Sequence, residues 1–116
     1  MESQLRVEVH SKGDAALVAV SGELDLASSP VLEAELERVG GSDPTLVVVD
    51  LRELEFIDST GLSVLVRAHQ RAQEAGSRFG LVNGPSQVQR LLSLTGIRER
   101  MTVVDTPEEL LGENEL

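Results

Sequence analysis

The uninterrupted apolar run Leu46-Val47-Val48-Val49 decides the fold class of this chain. Successive β-branched residues without polar alternation are typical of a strand that is buried on both faces, as in a parallel sheet. Residues 50–58 lead away from its carboxyl end, and from Thr60 to Ala75 apolar residues recur at the spacing of an amphipathic helix, which Gly76 ends. A buried strand followed by a helix predicts a βα unit and therefore an α/β fold.

Two strands precede this unit and are predicted to form a hairpin. The segment Leu5–His10 alternates apolar and polar residues, as a half-buried strand does, and Lys12-Gly13-Asp14 supplies a turn. The next strand, Ala15–Val20, is almost wholly apolar and is expected to end at Ser21-Gly22. We therefore expect an antiparallel edge on a mainly parallel sheet.

Helices and short strands continue the pattern on both sides. Upstream, Ser29-Pro30 is a helix start in which a serine oxygen caps free amides, and Gly40-Gly41 ends that helix. Downstream we predict a strand over 78–82, a helix over 86–95, a strand over 101–104 and a short helix that begins with the capping box Thr106-Pro107-Glu108-Glu109. The result is one mixed, mainly parallel sheet with an N-terminal β-hairpin and about four helices.

Composition limits the possible functions. At 116 residues we expect one domain, with a core over residues 5–110 and an acidic tail over 112–116. The formal charge of −10 opposes direct binding of nucleic acid, and the absence of Cys excludes disulfides and thiol nucleophiles. The longest apolar run, Ala15–Val20, is too short for a secretory signal or a membrane span. We expect a cytoplasmic protein with no membrane partner.

The most informative polar stretch is Phe56-Ile57-Asp58-Ser59-Thr60-Gly61-Leu62, at the start of the second predicted helix. One interpretation is structural, because Asp58 or Ser59 could cap the helix by accepting a hydrogen bond from an early amide. The other is functional, because free amides and the positive end of the helix dipole would stabilise a phosphate attached to Ser59. Local chemistry leaves both open.

A second acidic stretch, Gly22-Glu23-Leu24-Asp25, follows the second strand and is interpreted as a turn. Because neighbouring parallel strands end at one edge of a sheet, Asp25 is expected beside Asp58 and Ser59. Asp50 would join Asp25 and Asp58 in a possible Mg²⁺ site, but solvated acids are more common in so acidic a chain. We therefore predict no metal and no cofactor.

The sequence motifs give little support to an enzymatic function. The sequence Asp58-Ser59-Thr60-Gly61 differs in spacing from the Asp-Ser/Thr-Gly of aspartic proteases, which are all-β proteins. His10 and His69 have no nucleophile at a recognisable spacing and are interpreted as surface or packing residues. No catalytic residue is predicted.

Three motifs together resemble one family: Gly22-Glu23-Leu24-Asp25, Val47-Val48-Val49-Asp50-Leu51 and the stretch Phe56 to Leu62. Their order and spacing are similar to those of the anti-sigma factor antagonists, the stand-alone bacterial members of the STAS domain family. The resemblance extends over about residues 5–110, and it implies a single STAS-like domain.

The resemblance implies a partner switch in transcription regulation. Such an antagonist binds an anti-sigma factor that is also a serine kinase and thereby frees the sigma factor. The kinase phosphorylates the serine that follows Asp58, which is Ser59, and a metal-dependent protein phosphatase removes the phosphate. Asp25 matches an acidic position near that site, and Thr60 is a possible second acceptor.

The partner-binding residues predicted from this resemblance and from helical spacing are Asp25, Asp58, Ser59, Thr60, Ser63 and Arg67. Many relatives have Gly at the position of Ser63, so that residue bears on which anti-sigma factor is recognised. The alternatives are a STAS module that serves as a scaffold or regulatory subunit of a signalling assembly or transporter, and an enzyme in its own right.

Overall fold

The computed structural model describes residues 5–112, in which a five-stranded mixed sheet carries helices on its faces. Its strands are β1 (Leu5–Lys12), β2 (Ala15–Leu24), β3 (Leu46–Ile57), β4 (Arg78–Val82) and β5 (Thr102–Val104), and they lie side by side in that order. The β1–β2 pair is antiparallel and every other neighbouring pair is parallel. This arrangement confirms the predicted α/β fold with an N-terminal hairpin.

The helices number five within residues 5–112, one more than expected: α1 (Ser29–Gly40), α2 (Ser59–Ala75), α3 (Ser86–Leu94), α4 (Ile97–Arg100) and α5 (Glu108–Leu111). The addition is α4, a single turn that follows Gly96, whose φ is +79°. One turn is too short to show a helical period in the sequence. None of the five helices is long and apolar enough to cross a membrane.

Both faces of the central strand are buried, as the apolar run of β3 predicts. Val47 and Val49 belong to the main core, where α1, α2 and α3 cover one face of the sheet. Leu46 and Val48 point to the opposite face and pack in a smaller cluster with residues of α5. The alternation explains why every residue of this run is apolar.

The strands β2 and β3 are longer than predicted. Residues 21–24, interpreted from sequence as the end of a strand and a turn, continue β2, and residues 50–57 continue β3. The two extensions pair in parallel, with Leu24 opposite Ile57, after register shifts on either side of Ser21 and Gly22. Polar residues in the extensions conceal them in the sequence, because only part of each lies against the core.

Two predicted helix starts differ in detail. The predicted cap by Ser29 is wrong: Ser28 is the N-cap residue of α1 without a side-chain cap bond, and the Ser29 hydroxyl donates to the Asp25 carbonyl at 2.6 Å. At the last helix, Glu109 reaches back and accepts from the Thr106 amide at 3.0 Å, which is half of a capping box. The predicted acidic tail lies outside the described residues beyond Gly112.

Gly84 sets the distance between the loop after β4 and the extension of β3. A Cβ atom at this position would lie 2.6 Å from the carbonyl oxygen of Leu51 and 3.1 Å from the side chain of Val88. The carbonyl belongs to the backbone of a buried strand and cannot rotate away. The close approach therefore requires glycine.

We predict that Gly84→Ala lowers the free energy of unfolding by about 1–3 kcal/mol, because the added methyl forces β3 and α3 apart. The matched control is Gly40→Ala, at which a Cβ would meet no atom within 4 Å. That control should be neutral or stabilising, since alanine is a better helix residue than glycine. Urea unfolding followed by circular dichroism measures both, and equal effects would contradict the steric explanation.

Candidate functional site

Asp58 joins the ends of β2 and β3 to the start of α2. Its Oδ1 atom accepts a hydrogen bond from the Gly61 amide at 3.0 Å, which makes Asp58 the side-chain cap of α2. Its Oδ2 atom accepts from the Leu26 amide at 3.2 Å, and its own amide donates to the Leu24 carbonyl at 3.2 Å. The structural interpretation of Asp58 is therefore confirmed, and the same carboxylate also holds the loop after β2.

Gly61 is required by the close packing of this helix start. A Cβ atom here would lie 2.7 Å from Cγ of Leu24 and 3.0 Å from Cγ1 of Ile57, both of which are buried side chains at the paired strand ends. Any larger residue would push the first turn of α2 away from β2 and β3. The glycine thus brings Ser59 and Thr60 close to the loop that carries Asp25.

The loop that carries Asp25 is held by its own hydrogen bonds. The Oδ1 atom of Asp25 accepts from the Ser28 amide at 3.0 Å, and the Ser28 hydroxyl accepts from the Asp25 amide at 3.0 Å. The same hydroxyl donates to the Glu23 carbonyl at 2.8 Å, and Ser28 is buried. Asp25 is therefore fixed next to Leu26, whose amide binds Asp58, so the structure brings the two acidic stretches together.

Ser59 is the first residue of α2 and is exposed, whereas Thr60 is half-buried. Within residues 5–112 no hydrogen bond is made by the Ser59 hydroxyl, or by the amides of Ser59 and Thr60. These two amides lie at the positive end of the dipole of a 17-residue helix. A negatively charged group attached to the Ser59 hydroxyl could accept hydrogen bonds from both amides.

Ser63 and Arg67 continue along the same side of α2. The Ser63 hydroxyl donates to the Ser59 carbonyl at 3.0 Å. Arg67 binds Glu33 of α1 through two hydrogen bonds, Nε to Oε2 at 2.8 Å and a terminal nitrogen to Oε1 at 3.0 Å. These hydrogen bonds lower the pKa of Glu33, because its charged form accepts them. Arg67 is thus half-exposed but already paired within the chain.

Two exposed apolar residues near this site were not singled out from the sequence. Leu26 is 73% exposed in the loop after β2, and Phe56 is 48% exposed near the end of β3, opposite Glu23. A large apolar residue directly after Asp25, between a strand and a helix, was a signal that could have identified Leu26. Exposed apolar side chains around a polar centre are typical of a protein-binding surface.

Asp50 is not part of the site, contrary to the expectation that three Asp residues would meet at one edge. Since β3 runs to Ile57, Asp50 lies about 25 Å of extended strand before Asp58. It is buried and binds Arg52, which donates at 2.8 and 3.0 Å. Within residues 5–112 no three acidic or histidine side chains are placed to hold a metal ion.

The two histidines lie where a surface or packing interpretation places them. His10 is exposed on β1, 3.7 Å from a carboxylate oxygen of Glu8. His69 on α2 packs edge-on against Phe79, with ring centroids 5.8 Å apart. Neither histidine contacts Ser59 in these interactions.

The chain is similar to known proteins in sequence and in fold. The sequence model of the STAS domain matches residues 6–110. The chain is 28% identical over 107 residues to an anti-sigma-F factor antagonist of Mycobacterium tuberculosis. The aligned region covers 92% of this chain and 87% of the relative. It is 26% identical over 113 residues to an anti-sigma F factor antagonist of Paenibacillus polymyxa, with 97% of each chain covered. A crystal structure of an anti-sigma factor antagonist from Mycobacterium paratuberculosis superposes with a TM-score of 0.86 at 28% identity, over 92% of this chain and 91% of that one.

We predict that Asp58→Ala lowers the free energy of unfolding by about 1–2 kcal/mol, since it removes the cap of α2 and the bond to the Leu26 amide. The control is Glu55→Ala, which removes an exposed carboxylate three residues earlier, in β3, and should change stability by less than about 0.5 kcal/mol. Urea unfolding gives the free energies. Amide exchange should also be faster at Leu26 and Gly61 in Asp58→Ala, and unchanged protection there would contradict the assigned bonds.

Proposed function

Because this chain belongs to the STAS domain family, we propose that it is an anti-sigma factor antagonist, which acts by binding an anti-sigma factor and not by catalysis. The names of its relatives at 28% identity support this role. The observation that carries the proposal is the exposed Ser59 hydroxyl at the start of α2, with the exposed apolar side chains of Leu26 and Phe56 nearby in the fold. A neutral hydroxyl bordered by apolar surface suits a protein interface.

The proposed partner is an anti-sigma factor that is also a serine kinase, and its proposed target is Ser59. One feature supports Ser59 over its neighbour Thr60: Ser59 is exposed, whereas Thr60 is half-buried. A separate metal-dependent phosphatase would reach the same exposed position. Thr60 remains a possible second acceptor under this proposal.

Phosphorylation is proposed to break the complex by charge and not by unfolding. A phosphate adds about −1.5 to −2 charges at a site that already contains Asp25 and Asp58. Burying that charge in an interface built for a hydroxyl costs several kcal/mol. In the free protein the amides of Ser59 and Thr60, which make no hydrogen bond within residues 5–112, can offset the added charge. The modified protein should therefore remain folded while its complex dissociates.

We predict that the cognate anti-sigma factor kinase and ATP add one phosphate to the wild-type chain, at Ser59. Phosphopeptide mapping locates it, and Ser59→Ala should abolish it while Thr60→Val, the matched control, should not. Incubation with ATP alone should leave the chain unmodified. Undiminished modification of Ser59→Ala would refute the assignment of the acceptor.

The phosphorylated and unmodified proteins from this reaction also test whether phosphorylation weakens binding of the kinase. Phosphorylated protein should bind the kinase at least about a hundredfold more weakly than unmodified protein, as expected when a charge must be buried without a partner. Its circular dichroism melting curve should stay cooperative. If phosphorylation abolished both binding and the cooperative melting transition, unfolding and not electrostatic repulsion would explain the loss of affinity.

We predict that Arg67→Glu weakens binding of the anti-sigma factor by about tenfold, since Arg67 lies on the proposed face with Ser63 and Ser59. The matched control is Glu33→Gln, which weakens the interaction between residues 33 and 67 but leaves the positive charge of Arg67 in place. That control should bind as well as wild type or better, because Arg67 is freed. An equal loss in both variants, measured by calorimetry, would show that the ion pair within the chain matters and not a contact from Arg67 to the partner.

A further inference from the structure

A cleft of about 340 Å³ opens beside the proposed face, between α2 and the turn that joins α3 to α4. We call it the α2–α4 cleft, and its lining residues are Leu62, Ser63, Val66, Arg67, Thr95, Ile97 and Arg100. We propose that it receives an acidic segment of the anti-sigma factor, with an aliphatic side chain in the cleft and carboxylates at its rim. This inference rests on the proposed function and specifies a second contact with the same partner.

The charge of the cleft is opposite to that of the chain as a whole. The full sequence has 20 acidic residues against 10 Lys and Arg, yet the lining contains two arginines and no acidic residue. Arg67 is already paired with Glu33 of α1, so among the described residues the unpaired charge in the lining is that of Arg100. Arg100 makes no ion pair or side-chain hydrogen bond with any other described residue, and its neighbour Arg98 is occupied by a 3.0 Å bond to Asn83. An acidic segment is attracted here and repelled over most of the remaining surface.

The floor of the cleft is apolar. Leu62 and Ile97 belong to the main core, and Val66 is half-buried against it. Leu94, the last residue of α3 and the neighbour in sequence of the lining residue Thr95, is 72% exposed. An aliphatic side chain from a partner would remove this surface from water, while the unpaired Arg100 favours a carboxylate beside it.

The cleft is continuous with the proposed face around Ser59. Ser63 lines the cleft, and its hydroxyl is bonded to the Ser59 carbonyl at 3.0 Å. The combined surface therefore has an acidic end at Asp25 and a basic end at Arg100, with the phosphate acceptor between them. Such polarity allows a partner with complementary charges to dock in one orientation only.

The test is calorimetric titration of the purified anti-sigma factor of the same genome with wild-type protein, Arg100→Glu and Arg90→Glu. Arg90 is an exposed arginine of α3 outside the cleft, so its reversal makes the same change in net charge. We expect Arg100→Glu to weaken binding by about tenfold or more and Arg90→Glu by less than about threefold. Because Arg100 is exposed, both variants should melt at the wild-type temperature, and Arg100→Gln should show an intermediate loss of affinity.

A rescue experiment then identifies the contact. Single acidic residues of the anti-sigma factor are replaced by Arg, and at least one replacement should restore the affinity of Arg100→Glu while weakening that of wild type. Equal binding by Arg100→Glu and Arg90→Glu, when phosphorylation of Ser59 still weakens the complex, would overturn this inference alone. A wild-type chain that binds no anti-sigma factor would overturn the proposed function and this inference together. If the chain formed a dimer and Arg100→Glu dissociated that dimer, the cleft would bind a second copy of the chain. That result would also overturn this inference.

Discussion

The carboxylate of Asp58 is the constraint on which the site depends, because its two oxygens hold two different segments. One oxygen caps α2 and the other holds the Leu26 amide, so the start of the helix and the loop after β2 have a fixed relation. Gly61 makes this possible by allowing α2 to approach Leu24 and Ile57 to within van der Waals contact. The exposed position of Ser59 and its nearness to the Asp25 loop follow from these two requirements, which are structural in origin.

Charge is distributed unevenly over a chain of net charge −10. Acidic side chains lie around the ends of β2 and β3, whereas Arg67 and Arg100 lie farther along the same surface. Arg67 is restrained by Glu33, a pair that ties α1 to α2 and leaves the guanidinium half-exposed. Under the proposed function, such a surface would give the partner both an electrostatic direction and apolar anchor points, and the proposed phosphate would be added where the surface is already negative.

The extension of β2 and β3 beyond their apolar cores determines where the candidate site lies. Parallel strands commonly present functional groups at their carboxyl ends, and here the paired extensions move those ends well past Asp50. Asp50 is consequently an internal residue that binds Arg52, and the site forms instead around Asp25 and Asp58. The register shifts near Ser21 and Gly22 interrupt the regular pairing between the apolar parts of β2 and β3 and their extensions.

Elements with a sustained apolar pattern could be predicted from the sequence alone. The apolar run of β3 and the amphipathic period of α2 depend on residues close together in the chain, and both were predicted correctly. The sequence left open whether Asp58 or Ser59 caps α2, and the structure shows that Asp58 does. The resemblance in motif order identified the family. Only the tertiary structure decided the partners that lie far apart in the chain: Arg67 with Glu33, 34 residues away, and Leu26 with Asp58, 32 residues away. It also revealed the single turn of α4 and the cleft beside it. Such contacts depend on how elements pack, because a side chain selects among distant partners only after the fold has brought them within hydrogen-bond distance.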